Sequence, residues 1–440
     1  MKFFKEKPYI SIGFMLFAMF FGAGNLIFPA FLGQNAGTNL LWADLGLIFT
    51  GVGLPLVAVL VVGYSGEKDL LDLSSRAGRW FGLSFTTLLY LTIGPFFAIP
   101  RTGTTTYDLG VSIFVPEEYQ KIGLALFLAF FMGLSLWLSI NPGKLVDRIG
   151  TVITPVLLLA IVVLIIASLV KPMGSYSAPT DAYATSAAAL SSGILEGYNT
   201  MDVLAALVFG NIVMDAVRQY GVKDEYEQGR NTLRAAVIAS GILGVIYVFI
   251  SNIGATSLEL LGLQKNGAGV LTGSINYYFG TVGNILLFVI VFLACLTTSV
   301  GLITACSIYL NRLFPKVNYK TFAIAIAVFS FAVGNYGLTT LIQAAVPVLV
   351  LLYPLSIVLV ILGFANNLFG GKKEVYVYTM VATLIFSLYT TVSSTFGVSI
   401  NALDKAIAYI PLNEHSFGWL TIALLGFIIG LVVSTVKSKK

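Results

Sequence analysis

Phe20-Phe21-Gly22-Ala23-Gly24-Asn25-Leu26-Ile27-Phe28-Pro29 interrupts an apolar run, Ile10 to Leu32, that is long enough to cross a bilayer. Each glycine costs a helix about 1 kcal/mol relative to alanine, and an asparagine gains nothing against lipid. Backbone at membrane depth leaves the helix only where protein or a water-filled cavity satisfies its freed N–H and C=O groups. A helix broken near the midplane is how secondary transporters build substrate and ion sites. The stretch therefore points to a carrier whose site lies close to Gly22–Asn25.

The rest of the chain agrees. Apolar residues make up 57% and charged residues only 10%, against roughly 25% charged in a soluble domain. The sequence divides into twelve apolar stretches near spanning length, at 9–32, 40–63, 81–107, 122–140, 149–170, 199–217, 234–256, 281–310, 320–336, 339–365, 375–395 and 417–436. The third and eighth are long enough to tilt or to extend beyond the membrane. The first lacks a cleavage site and reads as a retained helix rather than a signal peptide. With the N-terminus in the cytoplasm, 20 of the 25 basic residues fall on the inside; Arg101, Lys121, Lys171, Lys265 and Lys405 remain outside. Adding or losing one span would scramble that bias, so the positive-inside rule supports twelve spans with both termini cytoplasmic. The net charge of +5 is inner-loop charge beside an anionic leaflet and needs no nucleic acid.

Chemistry other than transport finds little support. Cys295 and Cys306 lie eleven residues apart in one predicted helix, roughly 16 Å along its axis, too far for a disulfide. The sequence carries no Cys/His metal cluster, phosphate-binding loop, nucleophile elbow or catalytic carboxylate pair, and His415 is the sole histidine. An enzyme is not expected, nor a cofactor beyond a coupling ion. A channel would need a filter segment, and a nutrient sensor a soluble output domain; neither is evident, and no obligatory protein partner is.

The longest predicted outer connection, Lys171 to Tyr198, follows the fifth span, where two repeats would join. Leu207-Val208-Phe209-Gly210-Asn211-Ile212 in the sixth span then answers the glycine cluster of the first. The two spans run in opposite senses, so the expected architecture is all-α: one transmembrane domain, 1–440, with an inverted pair of five-helix repeats (9–170 and 199–365), breaks in spans 1 and 6, and two additional helices (375–436). Small residues also serve helix packing, a competing reading for Gly210–Asn211 in particular.

Two inverted broken helices present four termini. The inner half of span 1 ends near Ala18–Phe21, where freed carbonyls suit a small cation. The outer half restarts near Ala23, Gly24 and Asn25, where free N–H groups suit a carboxylate. Carbonyls near Phe209–Gly210 suit an ammonium group or a second cation. Span 8 adds Ala294-Cys295-Leu296-Thr297-Thr298-Ser299, whose hydroxyls suit a hard monovalent cation or, more simply, bond their own helix backbone. The arrangement fits a cation-coupled carrier of a small zwitterion.

Gly22-Ala23-Gly24-Asn25-Leu26-Ile27-Phe28-Pro29, the twelve-span layout and Ile99-Pro100-Arg101-Thr102-Gly103 together resemble the branched-chain amino acid:cation symporter family of bacteria, over essentially the whole chain. The resemblance implies leucine, isoleucine and valine as substrates, a coupling cation, and the cytoplasmic membrane. More distantly, Gly-x-Gly-Asn in span 1 and Ala-x-Leu-Thr-Thr in span 8 resemble the leucine-transporter-type fold. That likeness implies a sodium ion held by the carbonyls of Ala18, Phe21 and Ala294 and the hydroxyls of Thr297 and Thr298. Leu26-Ile27-Phe28 stands where some members of that fold place a gating arginine. Arg101 is a candidate replacement, as a gate paired with Asp202 or Glu196, or else as a snorkelling anchor at the membrane edge. Asp215 and Arg218 read as an interfacial i,i+3 pair. No acid falls at the centre of a predicted span, which favours sodium over protons. A proton-coupled carrier, or a carrier of another small solute such as a nucleobase, is the alternative.

Overall fold

The computed structural model describes residues 8–65, 67, 69–141, 146–222 and 224–438. Lys2, Lys5, Lys7, Lys68, Lys144, Lys223, Lys439 and Lys440, counted above among the inner cations, lie outside the described residues. Among the described residues there are helices and no strands, as lipid demands of any spanning chain that is not a closed barrel.

The first apolar run is two helices, α1 (Pro8–Phe20) and α2 (Ala23–Ala36), separated at Phe21–Gly22. The second is α3 (Leu40–Ile48), a π-helical turn at Phe49–Gly53, and α4 (Leu54–Tyr64). A short helix, α5 (Leu70–Ser75), leads into α6 (Arg79–Leu91) and α7 (Ala98–Gly110), which are joined by a π-helical turn whose Gly94 has left helical geometry. Then come α8 (Gln120–Ser139), α9 (Thr154–Val170) behind a π-helical stretch at Val146–Ile153, α10 (Ser186–Asn199) and α11 (Asp202–Gln219). The second half holds α12 (Glu225–Leu261), α13 (Gly267–Leu313), α14 (Tyr319–Gly334), α15 (Leu338–Ala365), α16 (Lys373–Phe396), the short α17 (Asn401–Ala408) and α18 (Gly418–Ser438). Gly280, at φ +57°, bends α13 where the eighth apolar stretch was expected to begin.

Among the described residues nine helical stretches are long and apolar enough to cross a membrane, ten if α10 and α11, bent by 46°, form one broken span. That pair corrects the sequence reading twice. The connection 171–198 holds α10 instead of running as an irregular outer loop, and the break falls at Thr200–Met201. No break occurs at Phe209–Gly210–Asn211, which sits inside continuous α11. Gly210 is there for packing: a Cβ on it would lie 3.1 Å from the Val59 carbonyl of α4.

Four glycines bring helix backbones into direct contact. A Cβ on Gly46 of α3 would overlap the Leu190 carbonyl of α10, and one on Gly193 of α10 would overlap the Ala43 carbonyl of α3. Gly33 of α2 and Gly254 of α12 meet the Ser251 and Ala30 carbonyls in the same way. One half of each broken span is thus zipped to a neighbour, α2 to α12 and α10 to α3, the close approach that small residues permit between helices in lipid. At one end of the assembly, Arg76 bonds Glu67 (2.7 Å), the Ser65 carbonyl (3.2 Å), Tyr376 and Asn366, tying α5 to α15 and α16. Arg312 pairs with Asp69 and Asp72, tying the same segment to α13.

Candidate functional site

The break in the first span is set by one side chain. In a continuous helix the Gly22 N–H would bond the Ala18 carbonyl. It donates instead to Asn25 Oδ1 at 3.0 Å, and the Ala18 carbonyl is left to accept from Thr297 Oγ1 of α13 at 2.6 Å. Thr297 Oγ1 also lies 2.9 Å from the Ala294 carbonyl. Thr298 Oγ1 is buried without a hydrogen-bond partner among the described residues, and it faces Gly22, where a Cβ would stand 2.9 Å away. The structure therefore gathers Ala18, Ala294, Thr297 and Thr298 at the end of α1, with Phe21 in the break itself, its ring stacked on Phe17 at 5.2 Å. The donors are oxygens, none of them a carboxylate, which suits a hard monovalent cation.

The break in the second span has a different cause. It contains no glycine; Met201 takes a left-handed conformation, φ +67°, which a non-glycine residue adopts only at a cost. Asp202, the first residue of α11, is 2% exposed. Its Oδ2 accepts from Asn25 Nδ2 at 2.7 Å and from the Tyr247 hydroxyl of α12 at 2.8 Å. The side chain of Asn25 thus closes one break with its oxygen and reaches the other with its nitrogen. A truncation here would remove one of the two side-chain donors of a buried carboxylate, which is unfavourable.

Arg101, on α7, is 8% exposed, so it is no snorkelling anchor. Its Nη1 donates to the Asn199 carbonyl at the end of α10, 3.2 Å away, and its guanidinium lies 5.7 Å from the Phe28 ring of α2. A Cβ on Gly24 would meet Arg101 Nη2 at 3.0 Å. Glu196 does not pair with it but accepts from Asn199 Nδ2 at 3.1 Å. Asp215 and Arg218 form the exposed i,i+3 pair that their spacing suggests, at 3.3 Å.

Both breaks and Arg101 border one cavity of about 30 Å³, room for about two water molecules. Gly22, Ala23, Gly24, Asn25 and Thr298 line one side, and Arg101, Thr102, Thr200, Met201 and Asp202 another. The apolar wall is Met19, Phe20, Ile93, Ala98, Ala205 and Leu302. Of the residues expected from span 6, Phe209 packs beside Phe20, ring centres 5.8 Å apart, and neither it nor Gly210 nor Asn211 borders the cavity. Their place is taken by Thr200, Met201, Asp202 and Ala205, at the start of α11.

Three residues at or beside the cavity are absent from the sequence reading. Tyr247 stands in an apolar helix with nothing around it to mark it. Thr200 and Met201 were readable only as the start of a span. The signal that could have found them is the cluster of polar residues Asn199, Thr200 and Asp202 just ahead of the apolar stretch from Val203. The same misplacement hid an acid. Asp202 is buried and lines the cavity, so a scarcity of buried acids does not by itself argue against protons.

The sequence profile of a family described as branched-chain amino acid transport protein matches residues 5–437. The branched-chain amino acid permease BrnQ of Bacillus subtilis is 43% identical over 98% of this chain and 97% of its own length. The branched-chain amino acid transport system 2 carrier protein of Pseudomonas aeruginosa is 39% identical over 98% and 97%. Among solved structures, that of MhsT in complex with L-phenylalanine superposes with a TM-score of 0.58 at 16% identity, over 97% of this chain and 98% of that one. Mhp1, a nucleobase-cation-symport-1 family transporter in a closed conformation with bromovinylhydantoin bound, does so at 0.61 and 13%, over 98% and 92%. At such identities the structural likeness speaks for the fold alone, that of the leucine-transporter-type carriers.

Proposed function

The chain belongs to the branched-chain amino acid transport protein family, and on that premise we propose that it is a secondary active symporter importing leucine, isoleucine and valine across the bacterial cytoplasmic membrane by alternating access. The observation that carries this reading is the pair of opposite charges, Arg101 and Asp202, buried on one cavity where two broken helices meet. A zwitterion matches that pair and leaves no net charge uncompensated. Its carboxylate lies toward Arg101 and the first N–H groups of α2 at Ala23, Gly24 and Asn25; its ammonium lies toward Asp202. The branched side chain lies on Ile93, Ala98, Ala205 and Leu302. With room for about two waters, the cavity admits such a substrate only when its walls part, as expected of a carrier that closes over its cargo.

The reading keeps twelve spans with both termini cytoplasmic. α1 with α2, and α10 with α11, are the first and sixth spans of two inverted repeats, and α14 is the ninth, short but apolar. Arg101, its flank covered by Phe28, is the outer gate, and Asp202 lies below it.

Sodium is the coupling ion we favour, supported by the unpartnered Thr298 hydroxyl beside the Ala18 carbonyl and Thr297. A second reading has its own support: Asp202, bonded to Asn25 and Tyr247 in the same cavity, is an acid that could carry a proton. Uptake of labelled leucine into proteoliposomes under separately imposed sodium and proton gradients tests both. Uphill uptake on sodium alone supports the α1–α13 site; uptake on a proton gradient alone removes it and leaves Asp202 as the coupling group. No uphill uptake on either refutes symport.

A further inference from the structure

A second cavity, of about 410 Å³, opens between α10, α15, α16 and α18, away from the paired charges. Its apolar wall is Leu195, Leu349, Pro354 and Phe386. Val346 and Val350 at its mouth are each 42% exposed, on a helix that lies in the membrane, so the mouth faces lipid. Two side chains that line it carry unanswered polar atoms. Ser387, 1% exposed, and Trp419, 5% exposed, have no partner for Oγ and Nε1 among the described residues. A buried N–H that bonds nothing is costly, and each such group calls for a partner. No charged side chain borders the cavity among the described residues, so an ionic or zwitterionic occupant would lose its hydration without compensation. The occupant is therefore neutral where it is buried, apolar over most of its length, and carries an acceptor at the end near Trp419. Trp419 is the second residue of α18, at the depth where a spanning helix meets the headgroup region and where tryptophan concentrates. A glycerophospholipid has its ester carbonyls at that depth.

We propose that this cavity is a lipid site: one acyl chain of a phospholipid lies along Leu349 and Phe386, and its ester carbonyl accepts from Trp419 Nε1–H, with the Ser387 hydroxyl as second donor. Tyr198 and Asn199 of α10 also line the cavity. Tyr198 stacks on Tyr353 at 4.3 Å, and the Asn199 carbonyl is the acceptor that holds Arg101. A lipid seated here props the end of α10 that positions the gate, and transport becomes sensitive to lipid chemistry through that contact.

The test uses the full chain in vesicles of ester-linked phosphatidylethanolamine and phosphatidylglycerol containing a phosphatidylglycerol with a diazirine on its acyl chain. After irradiation, label is expected in the segments 385–394 and 413–420. Trp419→Phe keeps the ring and removes the donor; Ser387→Ala removes the second donor without touching an aromatic residue. Each is expected to lower label in these segments by about fivefold, the scale of one hydrogen bond, and replacing the bulk lipid by its ether-linked analogue, which lacks the carbonyl, is expected to slow leucine uptake. Equal labelling in wild type and in both variants overturns the proposal. So does loss of the label on adding leucine, which would make the cavity a substrate vestibule. The labelling is read without transport, so it fails or succeeds independently of the symport reading.

Discussion

The two breaks look alike in outline and differ in cause. In the first span, Gly22 and Gly24 weaken the helix and Asn25 captures the N–H that would have continued it. The information is local and lies within four residues. In the second, Met201 holds a positive φ with no glycine to ease it, and the conformation is imposed by what surrounds it: Asp202 anchored to Asn25 and Tyr247, and the Asn199 carbonyl held by Arg101. One break is written in its own sequence; the other is made by three neighbouring helices. A strained residue persists where its surroundings over-determine it, and such places gather at functional sites.

That contrast can be broken by substitution. Asp202→Asn should have the largest effect. It removes the anchor of the second break and leaves Arg101 without its counter-charge across the cavity; breaking a buried charge arrangement costs about 3–5 kcal/mol. Leucine uptake should fall by more than about a hundredfold, with the protein still extracted as a monodisperse species; near-normal uptake would mean that the second break stands without its anchor. Gly22→Ala comes next. The new methyl would stand 2.9 Å from Thr298 Oγ1, an overpacking cost of about 2 kcal/mol, and uptake at fixed sodium should drop by about thirtyfold. Thr298→Ala should be milder, raising the sodium concentration for half-maximal uptake by about tenfold, in line with a lost ligand oxygen; an unchanged sodium requirement would count against the α1–α13 site. Gly210→Ala should be the smallest. Its methyl meets only the Val59 carbonyl at 3.1 Å, and alanine regains about 1 kcal/mol of helix propensity, so uptake should stay within about threefold of wild type. A loss as severe as that of Gly22→Ala would restore residues 209–211 as the functional break.

The same contrast explains what could be read in advance. Helix class, the long helices from α12 onward and the whole of the first break follow from apolar length and glycine placement, signals carried by contiguous residues. Ala18, Ala294, Thr297 and Thr298 lie together beside the first break, because the freed carbonyl and the hydroxyls arise from motifs in two spans; that they and Phe21 hold sodium is the proposal that the uptake experiment tests. The second break was misplaced by about nine residues since a glycine beside an asparagine in α11 imitates the first motif, whereas Gly210 answers to the backbone of α4. Asp202 was seen but assigned to a membrane edge. Its role depends on Tyr247, 45 residues away, and on Asn25, 177 residues away, and no pattern along the chain encodes such meetings.

The glycine contacts of α3 with α10 and of α2 with α12 bear on heredity as much as on packing. At Gly33, Gly46, Gly193 and Gly254 any side chain would overlap a neighbouring carbonyl, so a mutation there is accommodated only if two helix backbones move apart. Each contact ties half of a broken span to a neighbouring helix with no side chain on the glycine that could change rotamer. In the proposed alternating-access cycle the two halves that frame the cavity would travel with these partners, so that the lining of the cavity and the machinery that moves it are set by different residues.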